Sequence, residues 1–260
     1  MPIVTLTTDF GHADIYAGRF KGQLISTIEH LNVIDITHGI PAFNIITGGY
    51  SVRYTYDSYP KGTFHIVRVN EQGIANEGML IAAFNGHFFI GPDNGILPLA
   101  MNNQFDWIRS VNFDEIDSSN SDEIYAQVLK SLIDDTHERI STVKQDYIAK
   151  TEWAITKSEK MIRGMVVIVD NFGNLTTNIH FSELAGYFKR FESFTVHYRD
   201  KEVLDKIVGN YNEVAEGEKM CRVNDLGFLE IAINKGAASK LLGIKFGHIV
   251  YVRFYDSQDR

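Results

Sequence analysis

The chain has 260 residues, 44% hydrophobic and 22% charged, with a formal net charge of −8. That length accommodates one large or two modest globular domains, and the single cysteine, Cys221, excludes an internal disulfide framework or a cysteine zinc cluster. The acidic balance disfavours nucleic acid or an anionic membrane as partner, and no apolar run is long enough to span a bilayer.

Met1 to Leu6 enters a strand directly, without a basic leader or cleavage site, so a cytoplasmic location without export is expected. Ile3 to Thr8 is apolar and β-branched, which predicts a buried strand. Tyr16, Phe20, Leu24 and Ile28 recur every four residues and predict a helix with a core-facing stripe. A short strand at Val33 to Ile36, a helix from about Ile45 to Tyr56 and a strand at Thr63 to Val69 follow. Strand, helix, strand, helix, strand in this order implies right-handed crossovers. Met79 to Phe84 and His87 to Ile90 read as a hairpin turning at Asn85-Gly86. Pro92-Asp93-Asn94-Gly95 is a turn, and Asp122 to about Trp153 reads as charged helix in more than one piece.

The character changes near Lys157 to Arg163. Met165 to Val169, Leu175 to Ile179, Phe194 to Tyr198, Met220 to Val223, Phe228 to Ile233 and Ile249 to Phe254 are short strands separated by turns. The expected architecture is a three-layer α/β domain with a largely parallel sheet over residues 1–157, then a small β-barrel domain over residues 158–260.

Two short runs carry the site expectations: Thr7-Thr8-Asp9-Phe10-Gly11 and Asp170-Asn171-Phe172-Gly173-Asn174. Each sets an aspartate at a strand end where the chain turns at glycine. Ligands of doubly wound sheets sit beyond the carboxyl ends of the strands, and the Asp9 carboxylate suits a ribose diol. A helix cap or turn role is the structural alternative for Asp9, and capping for Asp14. Asp170, Phe172 and Asn174 offer an acid, a stacking ring and an amide, or else a tight turn. His38, His65, His87 and His180 lack metal-ligand spacing, so no metal is expected. There is no phosphate loop, no Gly-x-Gly-x-x-Gly turn and no Gly-x-Ser-x-Gly elbow.

Val4 to Gly11, Tyr16-Ala17-Gly18 and Lys21-Gly22 resemble the opening of the S-adenosyl-L-methionine (SAM) hydroxide adenosyltransferase family, relatives of the fluorinases and chlorinases. The resemblance continues through Val33 to His38, Pro60-Lys61-Gly62-Thr63, Pro92 to Gly95, Asp170 to Asn178, Tyr211 to Gly217 and Gly227 to Ala238. It implies a homotrimer that binds SAM where one subunit's N-terminal domain meets the next subunit's C-terminal domain. Asp9 would hold the ribose hydroxyls, Asp14 and Asp170 would lie near the methionine portion, Phe172 and Tyr211 would flank adenine, and Asn174 would contact its edge. The family's hydrolases release adenosine and methionine, and that displacement needs neither a metal nor a redox cofactor.

The departures fall on the water-handling residues. Asn70 takes the position of the family's catalytic aspartate, Glu77 that of its arginine and Asn120 that of its histidine, while Asp225 replaces a serine near the methionine end. An amide cannot accept a proton at neutral pH. Glu71 reads either as an exposed loop glutamate or as a substitute base. Three functions therefore stand side by side: a SAM hydrolase with a rearranged catalytic set, a sensor or sequestering protein for SAM or adenosine, and a structural trimer with a vestigial pocket.

Overall fold

The computed structural model describes residues 1–71, 78–149, 154–199 and 202–257. The chain folds as two compact units, Met1–Lys150 and Thr151–Arg260.

The first unit runs β1 (Ile3–Thr8), α1 (Tyr16–Thr27), β2 (Asn32–Thr37), α2 (Ile45–Arg53), β3 (Phe64–Arg68), β4 (Met79–Phe84), β5 (His87–Pro92), α3 (Ile96–Ala100), β6 (Trp107–Val111), α4 (Ser121–Ile133) and β7 (Ser141–Val143). Its strands form one sheet in the order β2-β1-β3-β5-β4-β6-β7. The stretch β2-β1-β3-β5 is parallel, and β4, β6 and β7 extend it antiparallel. The chain leaves β1 for β2 on one side and returns to β3 on the other. The carboxyl ends of β1 and β3 therefore border a topological switch point, where open α/β sheets hold ligands.

Both sheet faces are covered, which makes the unit three-layered. Met79 and Ile81 of β4 join Phe20, Leu24, Tyr125 and Leu129 of α1 and α4 in one core. The alternate residues Leu80 and Ala82 join Val52, Ile96 and Leu97 around α2 and α3 in the other. The hairpin turns where expected, with Asn85 and Gly86 both at positive φ (51° and 81°).

Three expectations need correction. Tyr16 is 53% exposed, so the buried stripe of α1 begins only at Phe20. The second helix stops at Arg53 and is followed by a 3-10 turn at Tyr56–Ser58. Helix beyond Asp122 ends at Ile133, because Asp135 takes a left-handed conformation (φ 55°) and Ser141–Val143 pairs with β6 as an edge strand. Residues 150–153 of that segment lie outside the described residues.

The second unit runs β8 (Thr156–Lys157), β9 (Met161–Val169), β10 (Leu175–His180), α5 (Phe181–Arg190), β11 (Ser193–Arg199), β12 (Glu202–Leu204), β13 (Ile207–Val208), β14 (Lys219–Val223), β15 (Phe228–Ile233), α6 (Ala238–Leu242) and β16 (Ile249–Tyr255). Eight strands follow the order β12-β11-β16-β9-β10-β15-β14-β13, with β8 paired to β9. The sheet curls until Lys219 of β14 donates to Glu202 of β12 at 2.6 Å, which gives the expected barrel-like form. Helix α5 was not anticipated. It follows β10 without a separating turn, where the His180 ring accepts from the Ser182 amide as its cap. Its Leu184 is buried, and Phe188 and Phe191 pack on Phe254.

Candidate functional site

In the first unit, Asp9 follows β1 directly and caps no helix. Its Oδ2 accepts the backbone amides of Phe43 (2.9 Å) and Asn70 (3.0 Å), which ties the ends of β1 and β3 and the start of the α2 segment to one carboxylate. The Asn70 turn, at φ 55°, is held from below by Asn94, whose Nδ2 donates to the carbonyls of Val69 and Asn70. The Pro92-to-Gly95 turn is therefore a support for this crevice. Asp14 is exposed and does not cap α1, whose N-cap residue is Ile15 with no side-chain bond. His38, behind the crevice, pairs through Nδ1 with Thr8 (2.8 Å). Its Nε2 lies 3.1 Å from Asp35 without hydrogen-bond alignment.

Beside Asp9, at the end of β3, lies a charge cluster built around Arg68. Its guanidinium forks onto Glu71 (Nε to Oε2 3.0 Å, Nη2 to Oε1 2.9 Å) and donates to Asp122 (2.7 Å) and Ser121 (2.7 Å). The rings of Phe20 and Tyr125 lie 4.5 Å away and that of Phe10 lies 5.1 Å away. Ser121 also donates to Glu71, and Asp122 also accepts from Arg19 at 2.9 Å. Only 5% of the Arg68 side chain and 13% of the Glu71 side chain are exposed. Burial alone would pull the guanidinium pKa down. The neighbouring Tyr125, Glu71 and Asp122 more than reverse this, so its pKa is raised and the charge is permanent.

In the second unit, Asp170, Phe172, Asn174, Tyr211 and Ala237 line one open cleft of about 580 Å³. The Asp170 carboxylate accepts both the amide (2.8 Å) and the side-chain Nδ2 (2.9 Å) of Asn174. The Tyr211 hydroxyl donates to Glu230 at 2.8 Å, and the Arg222 guanidinium lies 4.6 Å from the Tyr211 ring centre. Burial raises the Glu230 pKa, with hydrogen bonding from Tyr211 and the charge of Arg222 opposing it. The turn needs glycine at position 173: φ is +83° and an added Cβ would sit 2.8 Å from the Ala237 methyl. Phe172, at the tip of that turn, is 76% exposed. An aromatic face left this open, above a polar ladder, is suited to stacking on a planar ligand.

The structure thus brings Asp9, Asn70 and Glu71 together in one unit, and Asp170, Phe172, Asn174 and Tyr211 in the other. Asn120 lies apart in function: its Oδ1 accepts the amides of Asp122 and Glu123 as the N-cap of α4. Glu71 is not an exposed loop glutamate, because Arg68 and Ser121 bind it. Asp225 has a 98% exposed side chain that meets Arg222 at 3.3 Å. Glu77 lies outside the described residues.

Sequence reasoning missed Arg68, Ser121, Asp122, Arg222 and Glu230. The available signal was an arginine inside an otherwise apolar strand, in His65-Ile66-Val67-Arg68-Val69 and again in Met220-Cys221-Arg222-Val223. A buried charge of this kind requires a partner acid. Among the described residues, no group of three or more His, Cys, Asp or Glu side chains is placed to hold a metal.

An α/β unit with an acid at its switch point, followed along the chain by a curled β unit with an aromatic cleft, defines a class of two-domain proteins. Family models specify the class further. That of the SAM hydroxide adenosyltransferase N-terminal domain matches residues 4–135, and that of the C-terminal domain matches residues 164–251. The chain belongs to the SAM hydroxide adenosyltransferase family. A relative from Methanocaldococcus jannaschii, named (R)-S-adenosyl-L-methionine hydrolase, is 29% identical over 95% of this chain and 94% of its own length. One of the same name from Thermus thermophilus is 23% identical over 94% of this chain and 96% of its own. The crystal structure of an uncharacterized conserved protein from Thermotoga maritima superposes with a TM-score of 0.84 at 26% identity, covering 96% of this chain and 99% of that one.

Proposed function

We propose that this protein binds S-adenosyl-L-methionine and hydrolyses it to adenosine and L-methionine. The observation that carries the reading is Asp9: one carboxylate oxygen is pinned by two backbone amides at the switch point, which fixes the other for a ribose hydroxyl. The exposed Phe172 ring and the Asn174–Asp170 pair supply the surface for adenine. Completion of the site at an interface between copies of the chain, as in a homotrimer, is part of this proposal and rests on the family resemblance.

The reaction suits such a pocket. A sulfonium is already a good leaving group, so the protein must align water opposite sulfur, exclude bulk solvent and counter the positive charge. No metal or redox step enters this scheme.

A second reading, a sensor or sequestering protein, is favoured by one observation. Asn120 is consumed by helix capping and Asn70 cannot take a proton, so the family's water-handling groups have no counterpart at those positions. Incubation with SAM followed by chromatography separates the two. Adenosine above the no-protein control supports hydrolysis, and its absence together with calorimetric SAM binding supports the sensor. In either case Asp9→Ala is expected to weaken adenosine binding roughly 100-fold through loss of a charge-assisted bond. Unchanged affinity would remove Asp9 from the site.

A further inference from the structure

The cluster at the end of β3 is more than scaffolding. We infer that Glu71 is the group that receives the proton of the attacking water, with Arg68 as the positioning residue that holds its carboxylate in place. This rests on the hydrolase reading above.

Placement comes first. Asp9 and Glu71 stand at the ends of β1 and β3, on either side of the switch point, and the Asn70 amide that binds Asp9 belongs to the residue before Glu71. A ribose held on Asp9 would lie at the carboxyl end of β3, where Glu71 follows the Asn70 amide that binds Asp9.

The other nearby acids are engaged differently. Asp9 itself faces the diol and is pinned by Phe43 and Asn70. Both oxygens of Asp122 are taken by arginines, Arg68 and Arg19. Asp35 is bound by Lys21 at 2.5 Å. Among these carboxylates, Glu71 combines a place beside Asp9 with a geometry fixed by a rigid, ring-caged guanidinium.

The Arg68 fork takes one acceptor site on each Glu71 oxygen and Ser121 takes a second on Oε1, so of the roughly four sites of the carboxylate the one left for water is on Oε2. The fork also stops the side chain from swinging.

The step balances. A lone pair of the water oxygen forms the O–C5′ bond while the C5′–S bond breaks, its electron pair passing to sulfur. The sulfonium becomes the neutral thioether of methionine, and the water proton passes to Glu71 and then to solvent.

The test uses the full-length protein with SAM. Glu71→Gln is nearly isosteric and is expected to lower kcat about 10²–10⁴-fold, with KM for SAM and affinity for adenosine within about twofold of wild type. Glu71→Asp should recover part of that loss. Arg68→Lys, which keeps the charge but not the fork, should lower kcat by a smaller factor while adenosine still binds. Adenosine affinity serves as the folding control for each variant. If wild type releases adenosine and Glu71→Gln does so at an undiminished rate, the assignment of Glu71 is overturned and the hydrolase reading stands. If wild type binds SAM and releases none, both are overturned.

Discussion

The two polar clusters are built on opposite plans. Around Arg68, three acidic or hydroxyl side chains and three aromatic rings close on one guanidinium, so nearly every donor and acceptor is matched internally. Around Asp170, the ladder through Asn174, Tyr211 and Glu230 ends in an open cleft, with Phe172 left largely bare. The first plan holds charge in a fixed geometry at the cost of access. The second keeps a surface available for an incoming ring. The closed charge cluster thus belongs to the α/β unit and the exposed ring to the β unit.

This contrast can be broken at either end. Arg68→Ala should have the largest effect, lowering stability by about 3–5 kcal/mol, because it leaves Glu71 buried without its cation and Asp122 with only the exposed Arg19. Denaturant titration checks it, and a change under 1 kcal/mol would mean that the cluster is not a closed unit. Phe172→Ala should do the reverse. It should leave stability within about 0.5 kcal/mol, yet weaken adenosine binding by roughly 1–3 kcal/mol through loss of stacking. Calorimetry and a thermal melt on the same sample test both halves. The smallest effect is expected from Asn120→Ala, which removes the α4 cap and costs about 1 kcal/mol. Its turnover per folded molecule should match wild type, and a selective loss of turnover would restore a catalytic role to that position.

Much of the fold was legible because local pattern and burial agree. The β-branched run Ile3 to Thr8, the Phe20-Leu24-Ile28 spacing and the Asn85-Gly86 turn each became the element they suggested. Helix α5 was not legible, since its first residue continues β10 and its apolar face serves a β domain assembled from distant strands. The site divided in the same way. Asp170, Phe172 and Asn174 stand in a short turn whose geometry is local, whereas the Asp9 carboxylate is fixed by the distant amides of Phe43 and Asn70. Glu71 depends on Arg68, on Ser121 fifty residues away and on Asp122, and only the closed fold brings them together. Asn120 shows the converse: its chemical type fits a site and its place at a helix start fits a cap, and the hydrogen bonds decide for the cap.

The tight seat of Gly173 against Ala237 links the Phe172 turn to the start of α6, where Ala237 lines the same cleft. The Ser239 amide donates to the Gly173 carbonyl at 2.8 Å, so the turn is fastened to the start of α6 from two directions. The tilt of the Phe172 ring is thereby indexed to the position of α6. A bulkier residue at position 237 would press on Gly173 and displace the aromatic tip, so this one small residue shapes the cleft both by lining it and by setting where the Phe172 ring stands.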